Sequence, residues 1–357
     1  MTPPARGYVR LCSSVIAPLV LLGLLSPQGV HRTAAHLEAT RHHAGVAPAI
    51  PLELPDGVHL PTPKLKTRPA LTPSPRVTWP AIRLEAMDTV AKSPIFSGFG
   101  AWVDVYDYPV LSLGRTVARL KAAGVQTLYM ETGMSGSQAP IVPPSVPWLL
   151  AAHNAGLKVV AWYLPDYANV RSDVARTVSI AHFQSRGVRF DGIGVDIEYR
   201  GAVPNGAIWN RNVVIHMRGV RQALGLGYPL AAIAPPPLQM RLAPATWIGF
   251  PWRELGSLSS EIMLMSYWSF RTGCPRIHLS CPYEFTKDNV LITRQLTGAH
   301  VPIHTIGGVG DHIDRYQLNR FIRGALDSHA DGASIYDIGT TQLSWWRPLA
   351  GLRRLRR

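Results

Sequence analysis

The chain has 357 residues, a formal net charge of +14 and three cysteines, with far more Arg than Lys. Basicity of this size draws a protein toward polyanions or keeps it in solution. No nucleic-acid-binding motif or aromatic-basic platform accompanies it, so nucleic acid is excluded as a partner, and an anionic wall polymer or lipid surface is left.

Residues 1–35 read as an export signal. Arg6 and Arg10 precede a short apolar run at 15–25, VIAPLVLLGLL, broken by Pro18. The run is too short to span a bilayer comfortably and fits a secretory core. Thr33-Ala34-Ala35 is the best cleavage candidate, and an uncleaved N-terminal anchor is the alternative. Either reading places the protein outside the cell or on its envelope. Residues 36–92 are proline-rich and without periodicity, as expected of a semi-rigid linker. His31 just before it and His36, His42 and His43 within it are scattered and form no specific metal set.

After Ser93 apolar strands alternate with helices. Strands are predicted at 95–105, 125–131, 157–164, 190–198, 229–234, 261–267, 301–309 and 333–337. Helices are predicted at 113–123, 146–155, 170–186, 207–224 and 313–328. Three helix ends are read at glycines, Gly124, Gly156 and Gly187, the usual C-cap residue. Eight strand–helix units over about 250 residues predict a closed (β/α)8 TIM barrel spanning 93–350, followed by a basic tail at 351–357. An open doubly wound sheet would need a glycine-rich phosphate loop. Gly98 and Gly100 lie inside the first strand, and GGVG at 307–310 lacks the lysine and hydroxyl of such a loop, so no nucleotide cofactor is expected. No GxSxG elbow occurs, which argues against a serine hydrolase. Cys12 would leave with the signal. Cys274 and Cys281, in the loop TGCPRIHLSCPYE, read as a disulfide. With only His278 between them they make a poor tetrahedral set, and no metal is expected.

Chemistry in such barrels sits where strands end. Those ends carry Trp102, Asp104 and Asp107; Glu131; Trp162, Tyr163 and Asp166; Asp196 and Glu198; Tyr267 and Trp268; Tyr336 and Asp337. Flat rings suit sugar faces and carboxylates suit hydroxyls. The predicted fourth strand, FDGIGVDIE, carries Asp196 and Glu198 two positions apart, so both project from one face. Like charges so placed raise one pKa. An acid that keeps its proton beside an ionised one is what glycosidic cleavage requires. The blander reading is a salt-bridged pair or a strand-end turn. No cluster of His and carboxylates at ligand spacing is visible.

On these residues the chain resembles (β/α)8 glycoside hydrolases, nearest the family-18 chitinase-like group, and more loosely exported barrel proteins of actinobacteria. The group's fourth-strand motif is DGxDxDxE, and Asp191-Gly192-Ile193-Gly194-Val195-Asp196-Ile197-Glu198 matches it except at Gly194. Its sixth-strand motif is MxYD, and Met265-Ser266-Tyr267-Trp268 matches except at Trp268. The resemblance implies Glu198 as general acid, Asp196 as its stabilising companion and Tyr267 as a hydrogen-bond partner of the reacting sugar. Trp102, Asp104, Glu131, Tyr163, Trp268 and Asp337 are expected to bind substrate. In the family the substrate's acetamido oxygen is the nucleophile. The two missing acids weaken that route here, are expected to let Asp196 ionise more readily, and open a second one, with Asp337, Glu131 or Asp104 as nucleophile or base.

Three functions are therefore open: an exported glycoside hydrolase on a polysaccharide, a non-catalytic carbohydrate-binding barrel, and an intracellular barrel enzyme on phosphorylated metabolites. The export signal argues against the third.

Overall fold

Eight parallel strands, each offering one face to an interior and one to a layer of helices, close on themselves. A computed structural model describes residues 90–270, 281–298 and 301–355. The expected signal, nearly all of the expected linker, and Cys274 lie outside the described residues. The strands are β1 (Gly98–Val103), β2 (Thr127–Met134), β3 (Lys158–Leu164), β4 (Gly192–Asp196), β5 (Leu230–Ala234), β6 (Glu261–Ser266), β7 (Ile303–Val309) and β8 (Gly332–Tyr336). Each pairs with its sequence neighbours, and β8 closes on β1 with Gly98 opposite Gly332 and Ala101 opposite Ile335. Among the described residues no helix is long and apolar enough to cross a membrane.

Strand parity sorts the core into two layers. Ala101, Met130, Ala161, Val195, Ala232, Leu264, Ile303 and Ile335 face the helices. Trp102, Tyr129, Trp162, Ile233, Met265, Ile306 and Tyr336 fill the barrel. At its lower end Phe96, in the turn Pro94–Phe96, is fully buried, and its carbonyl meets His304 Nδ1 at 2.9 Å. His304 Nε2 lies 2.7 Å from Ser334 Oγ, which also accepts from Trp102 Nε1 at 2.7 Å. Nδ1 donates to the carbonyl in this chain, so Nε2 accepts from the serine. Burial pushes the imidazole down to about 4, and it stays neutral.

The helices are α1 (Leu113–Ala123), α2 (Ser145–Asn154), α3 (Val170–His182), α4 (Gly206–Leu224), α5 (Pro237–Leu242), α6 (Pro244–Trp247), α7 (Trp252–Leu258), α8 (Cys281–Thr297), α9 (Arg315–Asp327) and α10 (Trp346–Leu349). Gly124 caps α1 in the left-handed region at φ 77°, as the sequence predicts. Gly187 does something else. The third helix stops at His182, and Gln184–Ser185 pairs antiparallel with Val188–Arg189 across Arg186 (φ 49°) and Gly187 (φ 78°). Two positive φ values in succession make a tight hairpin, not a cap.

Other departures have similar local causes. Prolines 237, 244 and 251 break the chain after β5 into three short helices that apolar periodicity did not reveal. Cys281 opens α8 instead of lying in a loop; Pro282 sits in the first turn, where an amide hydrogen is not required. The expected basic tail is folded as far as Leu355: Ala350–Arg354 forms a 3-10 turn whose Leu352 is buried, and Leu355 beyond it is buried too.

Candidate active site at the barrel mouth

β4 ends at Asp196, two residues earlier than its apolar pattern suggested. Ile193, Val195 and Ile197 belong to the outer layer, which turns Gly194 and Asp196 inward. Asp196 is buried, and its Oδ1 has no hydrogen-bond partner. Glu198 lies past the strand. As a residue it keeps some exposure, yet protein surrounds its carboxyl. Burial first, then the charges of Asp196 and Glu131, hold Glu198 well above the usual carboxyl range. Burial pushes Asp196 up to about 8. The sequence pointed the other way for Asp196, from the loss of two neighbouring acids; removal from water outweighs that relief.

Glu131 reaches the same space from β2. Met130 faces the helices, so Glu131 faces in, and it is fully buried. Val105 N–H donates to its Oε2 at 3.1 Å, while Oε1 has no partner. Burial and then the charge of Asp104 raise its pKa well above normal, against the Val105 hydrogen bond; Asp196 and Asp107 add to the rise. Trp162, on β3 between the two acids, is inward and leaves Nε1 without a partner.

Closure of β8 on β1 gathers a second set. Asp104, Asp107 and Asp337 are buried, with carboxylate oxygens within 4.8 Å of one another. The sequence showed no cluster of His and carboxylates at ligand spacing; three carboxylates gather here because barrel closure brings Asp337 to Asp104 and Asp107 from more than 200 residues away. Asp104 Oδ1 accepts from Tyr106 N–H (2.8 Å) and Asp107 N–H (3.1 Å), and Tyr336 Oη donates to Oδ2 at 3.2 Å. Asp337 Oδ1 accepts from Thr340 N–H at 2.8 Å.

Not every expected rim residue joins this space. Tyr267 and Tyr336 face the interior with ring centroids 5.8 Å apart, and Trp102 stacks on Tyr129 at 4.5 Å. Tyr163 and Trp268 do not. Tyr163 turns to the outer layer and donates to Asp173 Oδ1 on α3 at 2.8 Å. Trp268 stacks on Phe321 of α9, centroids 5.1 Å apart. Each is one residue out of phase with an inward aromatic, which removes both from the substrate-binding set. Asp166 accepts from Ala168 N–H in a local turn. Asp191, the first acid of the motif, serves the opposite end, where its Oδ2 takes Val159 N–H at 2.8 Å.

Sequence reasoning missed two contributors. Tyr106 is 46% exposed, and partial burial, then the charges of Glu131 and Asp104, raise its pKa. Tyr108 Oη donates to the Glu131 carbonyl at 2.6 Å. Arg200, although it follows Glu198, lies over the Trp209 and Trp247 rings of the outer layer. The aromatic spacing of DVYDY was the available signal for the two tyrosines. At the other end of the barrel a cleft of about 640 Å3 is lined by Arg347, Arg353 and Arg354.

No family model matches the chain, and no curated protein matches it in sequence. Solved structures do share its architecture. The glycoside hydrolase domain of PgaB (BpsB) from Bordetella bronchiseptica gives a TM-score of 0.52 at 11% identity, over 72% of this chain and 99% of that one. The family 18 chitinase of Cycas revoluta, solved with allosamidin, gives 0.51 at 11% identity over 71% and 99%. A chitinase from Bacteroides thetaiotaomicron gives 0.51 at 10% identity over 73% and 96%. The fold is that of the chitinase-like (β/α)8 barrels. At such identities the likeness concerns the fold, and the roles of individual side chains rest on their own geometry.

Proposed function

We propose that this barrel is a glycoside hydrolase that cleaves O-glycosidic bonds of a polysaccharide, with Glu198 as general acid. The observation that carries the reading is a pair of enclosed acids at the mouth end of β4, both biased toward the protonated form, with Asp196 Oδ1 unpartnered. A protonated Glu198 can hand its proton to the leaving oxygen, and Asp196, on losing its own, can steady the positive charge on the sugar ring. Tyr267 and Trp162 line the space such a ring would enter, over a floor of Trp102. A Cycas revoluta class V chitinase mutant with 10% identity and TM-score 0.51 was solved with (GlcNAc)3. Without an acid at position 194, a second carboxylate, and not a substrate acetamido group, is the better nucleophile or base here.

Export through residues 1–35, a Cys274–Cys281 disulfide and an anionic wall polymer or lipid surface at the Arg347/Arg353/Arg354 cleft complete the proposal. A second reading, a non-catalytic carbohydrate-binding barrel, is favoured by the absence of the motif acids at Gly194 and Trp268. Reducing-end release from envelope, plant and fungal glycans by the wild type and Glu198→Gln decides between them. A hydrolase releases ends, and the substitution lowers the rate at least about 100-fold. Hydrolysis unchanged in Glu198→Gln removes the assigned acid, and binding without release favours the second reading.

A further inference from the structure

Gly194 is more than a missing acid. A Cβ there would lie 2.7 Å from Ile233 Cδ1, so a side chain at 194 would require Ile233 to shift. The same layer continues sideways around the barrel. Gly194 is opposite Trp162, and Trp162 is opposite Glu131. Glu131 therefore stands in the layer of the absent acid, with the Trp162 ring between them. Two buried carboxylate oxygens without partners, Glu131 Oε1 and Asp196 Oδ1, belong to this part of the barrel.

Building on the reading of Glu198 as acid, we propose that Glu131 is the third member of a proton-sharing carboxyl set with Asp196 and Glu198, supplying from β2 what the motif lacks on β4. Asp104, Asp107 and the hydroxyls of Tyr106 and Tyr108 surround it from the segment after β1, Asp196 and Glu198 from β4, and neutral Trp162 from β3. The charges that act on it among the described residues are all negative. Several enclosed carboxyls cannot all ionise together, so they take up protons as a set, and the charge of one decides the proton affinity of the next. Glu131 is in this sense a positioning residue. It acts through the proton on Glu198.

Titration of the full chain, labelled with carbon-13 at the glutamate side-chain carboxyls and followed by NMR, tests the set without a glycan. Glu131→Gln and Glu198→Gln assign the two signals. In the wild type the Glu131 and Glu198 curves should each show the other's inflection. In Glu131→Gln the midpoint of Glu198 should fall by about one pH unit, the least that strongly interacting sites impose on each other. An unchanged Glu198 midpoint in folded Glu131→Gln overturns the proposal. So do wild-type curves, once assigned, that show no shared inflection. Since no substrate enters the measurement, loss of the hydrolase reading through Glu198→Gln would leave this outcome to be decided separately.

Discussion

Gly194→Ala adds one methyl group to the inner layer of β4, and its cost follows from three distances. The new carbon would sit 2.7 Å from Ile233 Cδ1, 3.3 Å from Ile233 Cγ1 and 3.6 Å from Trp162 Cβ. The last is ordinary contact; the first forces Ile233 to move. Ile233 is β-branched, 2% exposed and packed in the barrel interior, so its freedom to yield is small. Overpacking of this kind costs about 1–3 kcal/mol. Replacing glycine where φ is not positive lowers the entropy of the unfolded chain and offsets about 0.4–1 kcal/mol. The net expectation is a loss of about 0.5–2 kcal/mol. Ile233→Ala removes both offending atoms and costs about 2–5 kcal/mol by itself. In that background Gly194→Ala should become neutral or stabilising by up to about 1 kcal/mol. Urea unfolding of the four proteins, followed by tryptophan fluorescence, measures the cycle. Equal costs of Gly194→Ala in both backgrounds would refute the reasoning, because the clash would then not be with Ile233.

Asp196→Asn should change the pH dependence of stability. The folded state keeps a proton on Asp196 up to about 8, whereas the unfolded chain releases it near 4, so the wild type loses stability as pH rises between those values. The variant's advantage in chemical denaturation should grow across that window and level off above it; a constant difference would contradict the assignment. Trp268→Asp, which would complete the MxYD pattern, should destabilise by about 3–5 kcal/mol and add no hydrolysis, because its side chain enters the layer against Phe321. Thermal unfolding reads the loss. Ser334→Ala leaves Trp102 Nε1 and His304 Nε2 without their shared partner and should cost about 1–3 kcal/mol, seen as a lower Tm with the helix signal in circular dichroism unchanged before the transition.

How much of this was legible depended on whether a feature was local. The alternation of apolar runs and glycine caps located all eight strands, because each reports its own neighbourhood. Asp196 was placed by strand parity, and the same rule would have turned Tyr163 and Trp268 outward had it been applied beside Trp162 and Tyr267. The helix α8 was hidden by its cysteine and proline, which read as loop chemistry. Contacts made by barrel closure were out of reach. Tyr336 meets Asp104 across 232 residues, and nothing near either position announces it. The raised pKa of Asp196 was misjudged for a related reason: neighbouring acids can be counted along a strand, whereas enclosure comes from Ile233, Trp162 and the rest of the barrel.

The buried chain of contacts from Phe96 through His304 and Ser334 to Trp102 also limits traffic. It stoppers the barrel from below, so a saccharide that reaches Asp196 must leave by the route it entered. On the proposed hydrolase reading, a long glycan would lie across the rim like a thread over a cup, and its products would have to lift away from the mouth, where Tyr106 is exposed.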